Sequence, residues 1–368
     1  MKSPIEVSQV RPFTESDIEQ VGDLHRRGFG ISGAVTPELV SKYRTYFSEV
    51  FLNNPWNTDG SAALVYEEND GTISGFLGSV IRPMLFKGER IRVRIGTQFI
   101  VDPPRRGFAG LKLLRALFAG PQEVTIGDEG NVQSRGLWEA FGGSALPLYS
   151  MHWHYPLRPC EAARRAVMGF SRVPRFVPRM AAPFARALDA VAAPVLSMLT
   201  RNRTVEFIEE EPSPKELARC MAEAATSLRP DYDERTLDWV LSRAKALRPS
   251  AVPVSKLLRT DAGQIAGWYV CLATRGGAGE VLQLYANPGF EKQVLDRLFE
   301  DAGAQGVAVV SGRMEPGMMQ AFSDRRCILQ CGPEWVLVRS SRPDLLEALT
   351  KGDALLSKLE GEWCFRFQ

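Results

Sequence analysis

The chain has 368 residues, of which 45% are hydrophobic and 24% are charged, and its formal net charge at pH 7 is +2. This length predicts two domains rather than one, with ample apolar surface to form a core. The small net charge argues against general nucleic-acid binding, and the lack of an apolar run of about 18 residues argues against a transmembrane helix.

The N-terminal sequence and the cysteines favour a cytoplasmic protein. The opening stretch, MKSPIEVSQVRPF, has no apolar central segment of the kind found in signal peptides. The six cysteines are scattered, and the one close pair, Cys327 and Cys331, has no histidine nearby. We therefore predict reduced thiols and no bound metal.

The first hundred residues predict a strand, two helices and three further strands. The sequence Thr14-Glu-Ser-Asp17 has the form of a capping box and predicts a helix that begins near Ile18. Asn69-Asp70-Gly71 is a turn signal and predicts a hairpin. The other predicted elements are a helix at 37–52 and strands at 7–11, 62–67, 73–83 and 90–101.

The most informative stretch is 101–114, VDPPRRGFAGLKLL. An apolar strand ends here at a pair of prolines, and arginines, small residues and a helical leucine pattern follow. A strand that turns through a basic, glycine-containing loop into a helix is typical of phosphate sites, because loop amides and the helix N-terminus point at the ligand. We predict such a site, although the patterns of P-loop and dinucleotide proteins are both absent.

A second stretch, 131–142, reads NVQSRGLWEAFG and follows a predicted strand at 123–128. Together the two stretches resemble the Gcn5-related N-acetyltransferase (GNAT) superfamily over roughly residues 10–156. The pattern of that family is a strand ending Val-x-Pro, an Arg-x-x-Gly-x-Gly/Ala loop and a Leu-Leu helix. A further strand and Asn-x-x-Ala…Leu-Tyr-Glu-x-x-Gly complete it.

The chain departs from the family pattern at two positions. Phe108 stands at the first loop glycine of the family, unless the loop is one residue shorter and Gly107 takes that place. Trp138 stands where the family often has a tyrosine that protonates the leaving thiolate, and an indole cannot supply that proton.

The resemblance implies transfer of an acyl group from acyl-CoA, with acetyl-CoA expected first, to a primary amine that attacks the thioester directly. In this fold the strand segment 98–101 separates from the next strand, and its free backbone groups pair with the pantetheine arm. The cofactor-binding residues that the resemblance implies are Phe99, Ile100, Val101, Arg105, Arg106, Gly107, Phe108, Ala109, Gly110 and Asn131.

The acceptor amine must lose a proton, and the candidate bases are Asp128, Glu129, Glu139 and His152. Asp128 ranks first because it ends a predicted central strand and faces the cleft. An equally weighted alternative is that Asp128 is the N-cap of the helix beginning near Asn131. Glu139 ranks last, because its helix position is usually solvated.

His152 and Tyr149 complete the candidate catalytic set. His152 and His154 alternate along 148–155, so both lie on one face of a predicted strand, where one could act near neutral pH. A histidine held by structural hydrogen bonds is the more frequent outcome at such positions. Tyr149 could replace the acid that is missing at Trp138.

Residues 157–204 have a different composition. This range contains nine arginines but only two acidic residues, Glu161 and Asp189. Its prolines divide the apolar positions into short predicted helices. We predict a basic amphipathic linker, whose apolar side packs between domains. The alternatives are docking to a membrane surface or to an acidic acyl carrier protein.

An internal repeat predicts that a second copy of the fold follows the linker. Three short, similar sequence stretches occur in the same order in both halves of the chain. The second copy is four residues shorter where the phosphate loop lies. Its loop, 288–292, carries an acid in place of the arginine pair, so we expect little or no pyrophosphate binding. The paired stretches are 71–76 with 263–268, 98–103 with 283–288, and 113–118 with 294–299.

We therefore predict an α+β protein of two tandem GNAT-like domains, each a mixed, mostly antiparallel sheet flanked by helices. The predicted ranges are 1–156 for the acyltransferase domain, 157–204 for the linker and 205–368 for a degenerate second domain. The alternatives are an acyltransferase that uses acyl carrier protein and a non-catalytic CoA-binding or regulatory module. The expected partner is a small-molecule amine, and the sequence leaves a homodimer open.

Overall fold

The computed structural model describes residues 8–31, 33–57, 62–168, 184, 187–189, 207–332 and 334–367. Most of the predicted linker at 157–204 lies outside the described residues, and so do the docking surfaces predicted for it. Within the described residues, no helix is long and apolar enough to cross a membrane. All six cysteines are free thiols.

The described chain forms both strands and helices, and the elements of the first hundred residues lie close to their predicted bounds. The strands are β1 (Gln9–Pro12), β2 (Leu64–Glu67), β3 (Ile73–Phe86), β4 (Glu89–Val101), β5 (Val124–Gly130), β6 (Ser144–Ala145), β7 (Met151–Pro156), β8 (Ile208–Glu210), β9 (Leu228–Pro230), β10 (Val252–Arg259), β11 (Ile265–Ala273), β12 (Ala278–Ala286), β13 (Val309–Arg313), β14 (Ile328–Cys331) and β15 (Trp335–Ser340). The helices are α1 (Ile18–Gly28), α2 (Pro37–Phe47), α3 (Arg106–Phe118), α4 (Val132–Ala140), α5 (Pro147–Ser150), α6 (Pro159–Met168), α7 (Pro214–Ala222), α8 (Glu234–Leu247), α9 (Glu291–Ala304), α10 (Met319–Asp324) and α11 (Pro343–Lys351).

Capping side chains stabilise the starts of α1 and α2. The Asp17 carboxylate accepts the Thr14 amide at 2.8 Å, at the start of the turn that leads into α1. Thr36 caps α2 by accepting the amide of Leu39, and Pro37 occupies the first helical turn. The first of these contacts explains why the capping-box sequence predicts the start of α1.

The strands form two mixed sheets in which most neighbours are antiparallel, as predicted. The first sheet has the order β1-β2-β3-β4-β5-β15-β6, and β9 also pairs with β3. The second sheet has the order β14-β7-β13-β12-β11-β10-β8. Each sheet contains one parallel pair, β4 with β5 in the first and β12 with β13 in the second.

The repeated sequence stretches occupy equivalent elements in the two sheets. The first pair lies at the β2–β3 and β10–β11 turns, the second at the ends of β4 and β12, and the third on α3 and α9. The third repeated stretch lies on the helix that joins each parallel pair of strands, α3 in the first sheet and α9 in the second. The two sheets therefore contain the same strand–helix–strand unit.

The two halves of the chain exchange strands. The strand β7 lies inside the range predicted for the first domain, but it pairs with β13 in the second sheet. In return, β15 from the second half pairs with β5 in the first sheet. One continuous set of buried side chains, from Phe13 to Phe365, accordingly includes residues of both halves.

Candidate functional site

The parallel strands β4 and β5 separate in the middle of the first sheet. Their pairing runs from Val93 with Val124 to Gly96 with Gly127 and ends there. Beyond this point β4 continues to Val101 while bonded only on its other side, to β3. A cavity of about 470 Å³ opens between the two strands.

Four parts of the chain form the walls of this cavity. They are the separated ends of β4 and β5, the inner faces of α3 and α4, the end of α1, and the C-terminal segment that follows β15 and α11. The lining residues that matter below are His25, Phe29, Gly96, Thr97, Gln98, Phe99, Asp128, Glu129, Asn131, Trp138, Glu362, Arg366 and Phe367.

A bulge in β4 directs one side chain towards α1. The register between β3 and β4 shifts at Leu77 and Gly78, and Gln98 has a left-handed backbone with φ of 50°. The Gln98 side chain bonds to His25 Nε2 at 2.9 Å. Bulges commonly re-aim side chains at functional sites, and this one joins β4 to α1 across the cavity.

The predicted phosphate loop becomes a short 3₁₀ turn, Pro103–Arg105, and the first turn of α3. Arg105 is 63% exposed, and its Nε lies 3.4 Å from Glu68. A Cβ added at Gly107 would have no neighbour within 4 Å, so the helix start is open to a ligand. A Cβ at Gly110 would lie 3.4 Å from the Phe99 ring, which shows how closely α3 packs on β4.

The remaining residues of the predicted loop divide between surface and core. Phe108 is exposed, and its ring lies 4.3 Å from the Lys112 ammonium. Ala109 is buried on the inner face of α3. Ile100 is buried in β4, and Val101 ends that strand.

Asn131 lies on the cavity and is the N-cap of α4, where its side chain accepts the Ser134 amide at 2.9 Å. The N-cap role considered for Asp128 is therefore wrong, because Asn131 holds it. Asp128 instead forms a buried ion pair with Arg313 of β13, and it also accepts the amides of Glu129 at 2.9 Å and Glu362 at 3.1 Å. Both carboxylate oxygens are thus occupied.

Tyr149 and His152 lie outside the cavity. The Tyr149 hydroxyl is buried and donates to the Ala354 carbonyl at 2.9 Å, and burial raises the pKa of this phenol. His152 lies on β7 in the second sheet, opposite Arg313. Burial, assisted by the nearby Lys358 and Arg313 cations, lowers the pKa of His152 to about 4.

Glu129 has an unusual conformation at the end of β5. Its backbone is left-handed with φ of 58°, which is rare for a residue with a side chain. The carboxylate is paired with Arg366 of the C-terminal segment. Burial and the neighbouring Asp128 carboxylate raise its pKa.

His25 is a site residue that the sequence did not reveal. Its Nδ1 lies 3.2 Å from the Tyr43 hydroxyl, and its Nε2 bonds to Gln98. Burial lowers its pKa to about 4, so the imidazole is neutral near pH 7. On α1 it shares the spacing of core residues such as Val21, so helical periodicity could not distinguish it from them.

The C-terminal segment was also missed, because it comes from the far end of the chain. Its 3₁₀ turn, Glu362–Phe365, is followed by Arg366 and Phe367, which reach the cavity of the first sheet. The Phe367 ring stacks on Tyr43 with a centroid distance of 4.3 Å. The Tyr46 hydroxyl donates to the Phe365 carbonyl at 2.6 Å. No local signal in this segment points to a site more than 200 residues away in sequence.

No protein-family model matches the sequence, and no curated protein sequence matches it. Solved structures do match. A probable N-acyltransferase from Enterococcus faecalis V583 has a TM-score of 0.56 at 10% identity, over 91% of this chain and 73% of that one. A GCN5-related N-acetyltransferase from Anabaena variabilis ATCC 29413 gives 0.56 at 11% identity, over 90% and 72%.

A further GCN5-related N-acetyltransferase, from Kribbella flavida, has a TM-score of 0.51 at 13% identity, over 91% of this chain and 72% of that one. Identities this low establish the fold and leave the activity to be argued from the site. The chain has the fold of the GCN5-related N-acetyltransferases across about 90% of its length.

Proposed function

We propose that the protein is an acyl-CoA-dependent N-acyltransferase that transfers an acetyl group from acetyl-CoA to a primary amine. The observation that carries this proposal is the separation of β4 and β5 beyond Gly96 and Gly127. The β4 backbone groups that face β5 there can bond to the amides of a pantetheine arm. The thioester would then lie in the cavity between the strands.

The start of α3 supplies the complementary anion site. The first-turn amides of a helix lack intrahelical acceptors, and the helix N-terminus carries a partial positive charge. Arg105 adds an exposed guanidinium beside that position. This arrangement suits the pyrophosphate of CoA, and Asn131 at the start of α4 lies across the cavity from it.

The second half is suited to support the first rather than to bind its own cofactor. At the equivalent helix start, the Glu291 carboxylate accepts the Gly289 amide at 3.0 Å, so a carboxylate of the chain already occupies this anion position. Where β12 and β13 end their pairing, a Cβ at Gly312 would lie 3.0 Å from the buried Trp153 ring. The space that is open in the first sheet is therefore filled in the second.

Catalysis in such a site requires positioning more than covalent chemistry. A thioester is reactive, and holding an uncharged amine against its carbonyl carbon supplies much of the rate. Trp138 cannot protonate the departing thiolate. CoA thiolate is a sufficiently stable leaving group to depart and take its proton from water.

Calorimetric titration with acetyl-CoA tests this proposal. We expect micromolar binding at one site per chain, and loss of that binding in Arg105→Glu/Arg106→Glu, which reverses two charges in the predicted pyrophosphate loop. The double variant Lys215→Glu/Arg219→Glu makes the same charge change on exposed positions of α7 and should bind normally.

Other outcomes separate the alternatives. Two sites per chain would show that the second half also binds the cofactor. Absence of binding by acetyl-CoA and by longer acyl-CoAs would overturn the proposal and leave an acyl-carrier-protein donor. Binding without CoA release in the presence of any amine would indicate a non-catalytic module.

A further inference from the structure

Three carboxylates and two guanidinium groups meet at the base of the cavity. Asp128 pairs with Arg313, and Glu129 pairs with Arg366. The third carboxylate, Glu362, forms no ion pair with any lysine or arginine in the part of the chain that the structure describes. The cluster therefore has one more acidic group than cations to balance it.

Glu362 lies where the two central strands part. Its amide donates to Asp128 Oδ2 at 3.1 Å, and Asp128 directly follows the last paired residue of β5. The preceding residue is Gly361, where a Cβ would overlap the same carboxylate, so glycine permits this close approach. The Glu362 side chain lines the cavity together with Thr97 of β4.

The groups around Glu362 favour its uncharged form when the cavity is empty. The segment packs against β4, β5 and α8. Burial first, and then the Glu129 and Asp128 carboxylates of β5, raise the pKa of Glu362 well above its usual range. Thr97 of β4 and Arg366 of the same segment oppose this shift without cancelling it.

Of the other charged or titratable groups nearby, Glu334 also lines the cavity and acts on Glu129 and Arg366, and the groups on the elements packed against Glu362 are bonded elsewhere. On α8, Arg243 lies 3.1 Å from Glu49. On α2, the Tyr46 hydroxyl donates to a backbone carbonyl. On β13, Arg313 is held by Asp128. No cation on these neighbouring elements, within the described ranges, is left to pair with Glu362.

We propose that Glu362 is the residue that takes the proton from the acceptor amine, which identifies a catalytic group supplied by the second half of the chain. This inference rests on the proposed function. Glu362 takes one proton from the ammonium form of the amine and passes it to water. The uncharged nitrogen then forms a bond to the thioester carbonyl carbon as the carbon–sulfur bond breaks, and a second proton leaves the nitrogen through the same carboxylate. The CoA thiolate takes one proton from water, so one proton is released for each ammonium ion acylated.

The same cluster indicates the class of acceptor. An amine that enters as an ammonium ion supplies the positive charge that the three acidic groups lack. That charge favours the ionised, carboxylate form of Glu362. The Phe29 and Phe367 rings lie on the same cavity. These features fit a primary alkylamine with an aromatic or apolar body, for which phenethylamine is a suitable probe.

The test compares two nucleophiles that differ in their need for a base. Phenethylamine is an ammonium ion at neutral pH, whereas hydroxylamine is uncharged and nucleophilic without losing a proton beforehand. For Glu362→Gln we expect kcat/KM with phenethylamine and acetyl-CoA to fall about 10²-fold or more, as for the loss of a general base. With hydroxylamine the rate should change far less, and Glu362→Asp should restore part of the phenethylamine activity.

A matched variant and a pH profile complete the kinetic test. Glu139→Gln removes an exposed carboxylate of α4 that is bonded to Arg135 at 2.7 Å, and it should leave rates and profile unchanged. In Glu362→Gln the acidic limb of kcat/KM with phenethylamine should follow the ionisation of the free amine and lose the contribution of Glu362. Equal losses with both nucleophiles, or none with either, would overturn the inference while leaving the acyltransferase proposal standing. A wild-type protein inactive with both would overturn both.

A stability measurement tests the inference without turnover. A carboxyl whose pKa is raised by folding contributes stability that is fully present below the unfolded pKa of about 4.3 and is lost as pH rises through the folded pKa. Over that window the unfolding constant of the wild type should rise by up to about tenfold per pH unit relative to Glu362→Gln. Parallel curves for the two proteins would contradict the inference.

Discussion

At the scale of single residues, burial and existing hydrogen bonds decide which candidate side chains can act in the cavity. Tyr149 and His152 satisfy the sequence criteria for catalytic groups, yet one is bonded to a backbone carbonyl and the other lies on the second sheet. Alternation along a strand gives the face of a side chain, but it does not show which sheet the strand joins. That information depends on pairing with β13, over 150 residues away.

Tyr149→Phe tests whether this hydroxyl is structural. The substitution leaves the buried Ala354 carbonyl without its donor, so we expect the free energy of unfolding to fall by about 1–3 kcal/mol. Acetyl-CoA affinity and turnover per folded molecule should stay the same. Urea unfolding and initial rates measure the two effects. A large loss of turnover at unchanged stability would instead restore Tyr149 as the missing acid.

At the scale of elements, local signals predicted the helices, the β2–β3 hairpin and the strand that enters the phosphate loop. Asn131 was expected at the cofactor, and it does line the cavity while also capping α4. The C-terminal segment carries no comparable signal. Glu362, Arg366 and Phe367 acquire their roles only because tertiary packing brings them to β4 and β5.

Gly361→Ala tests how closely that segment must approach β5. The backbone φ of Gly361 is −83°, so alanine causes no backbone strain, but its Cβ would overlap the Asp128 carboxylate and lie 3.0 Å from Asp128 Cγ. We expect overpacking to lower the free energy of unfolding by about 1–3 kcal/mol and to reduce turnover as Glu362 is displaced.

Gly317→Ala is the control for this substitution, because a Cβ there would meet nothing within 4 Å. Its stability and turnover should match those of the wild type. If Gly361→Ala were equally harmless in chemical unfolding and in initial rates, the close contact between the C-terminal segment and Asp128 would be wrong.

At the scale of the whole molecule, the two halves form one composite site. The first sheet borders the cavity, and the second half supplies β15 beside β5 and the segment that carries Glu362. The internal repeat predicted two related sheets, which the structure has. The exchange of β7 and β15 could not be predicted, because both strands are equally compatible with either sheet in their local sequence.

In the proposed function, acyl transfer from acyl-CoA to an amine takes place between β4 and β5. Gly96 lies on that cavity, and a Cβ there would meet its nearest neighbour, Leu117, at an ordinary 3.7 Å. Gly96→Val should therefore fold while its methyl groups enter the cavity. Spectrophotometric detection of CoA thiol released from acetyl-CoA, with and without primary amines, is the most direct measurement. We predict amine-dependent release by the wild type and its loss in Gly96→Val. Equal release by both proteins, or no amine-dependent release by the wild type, would contradict acyl transfer in this cavity.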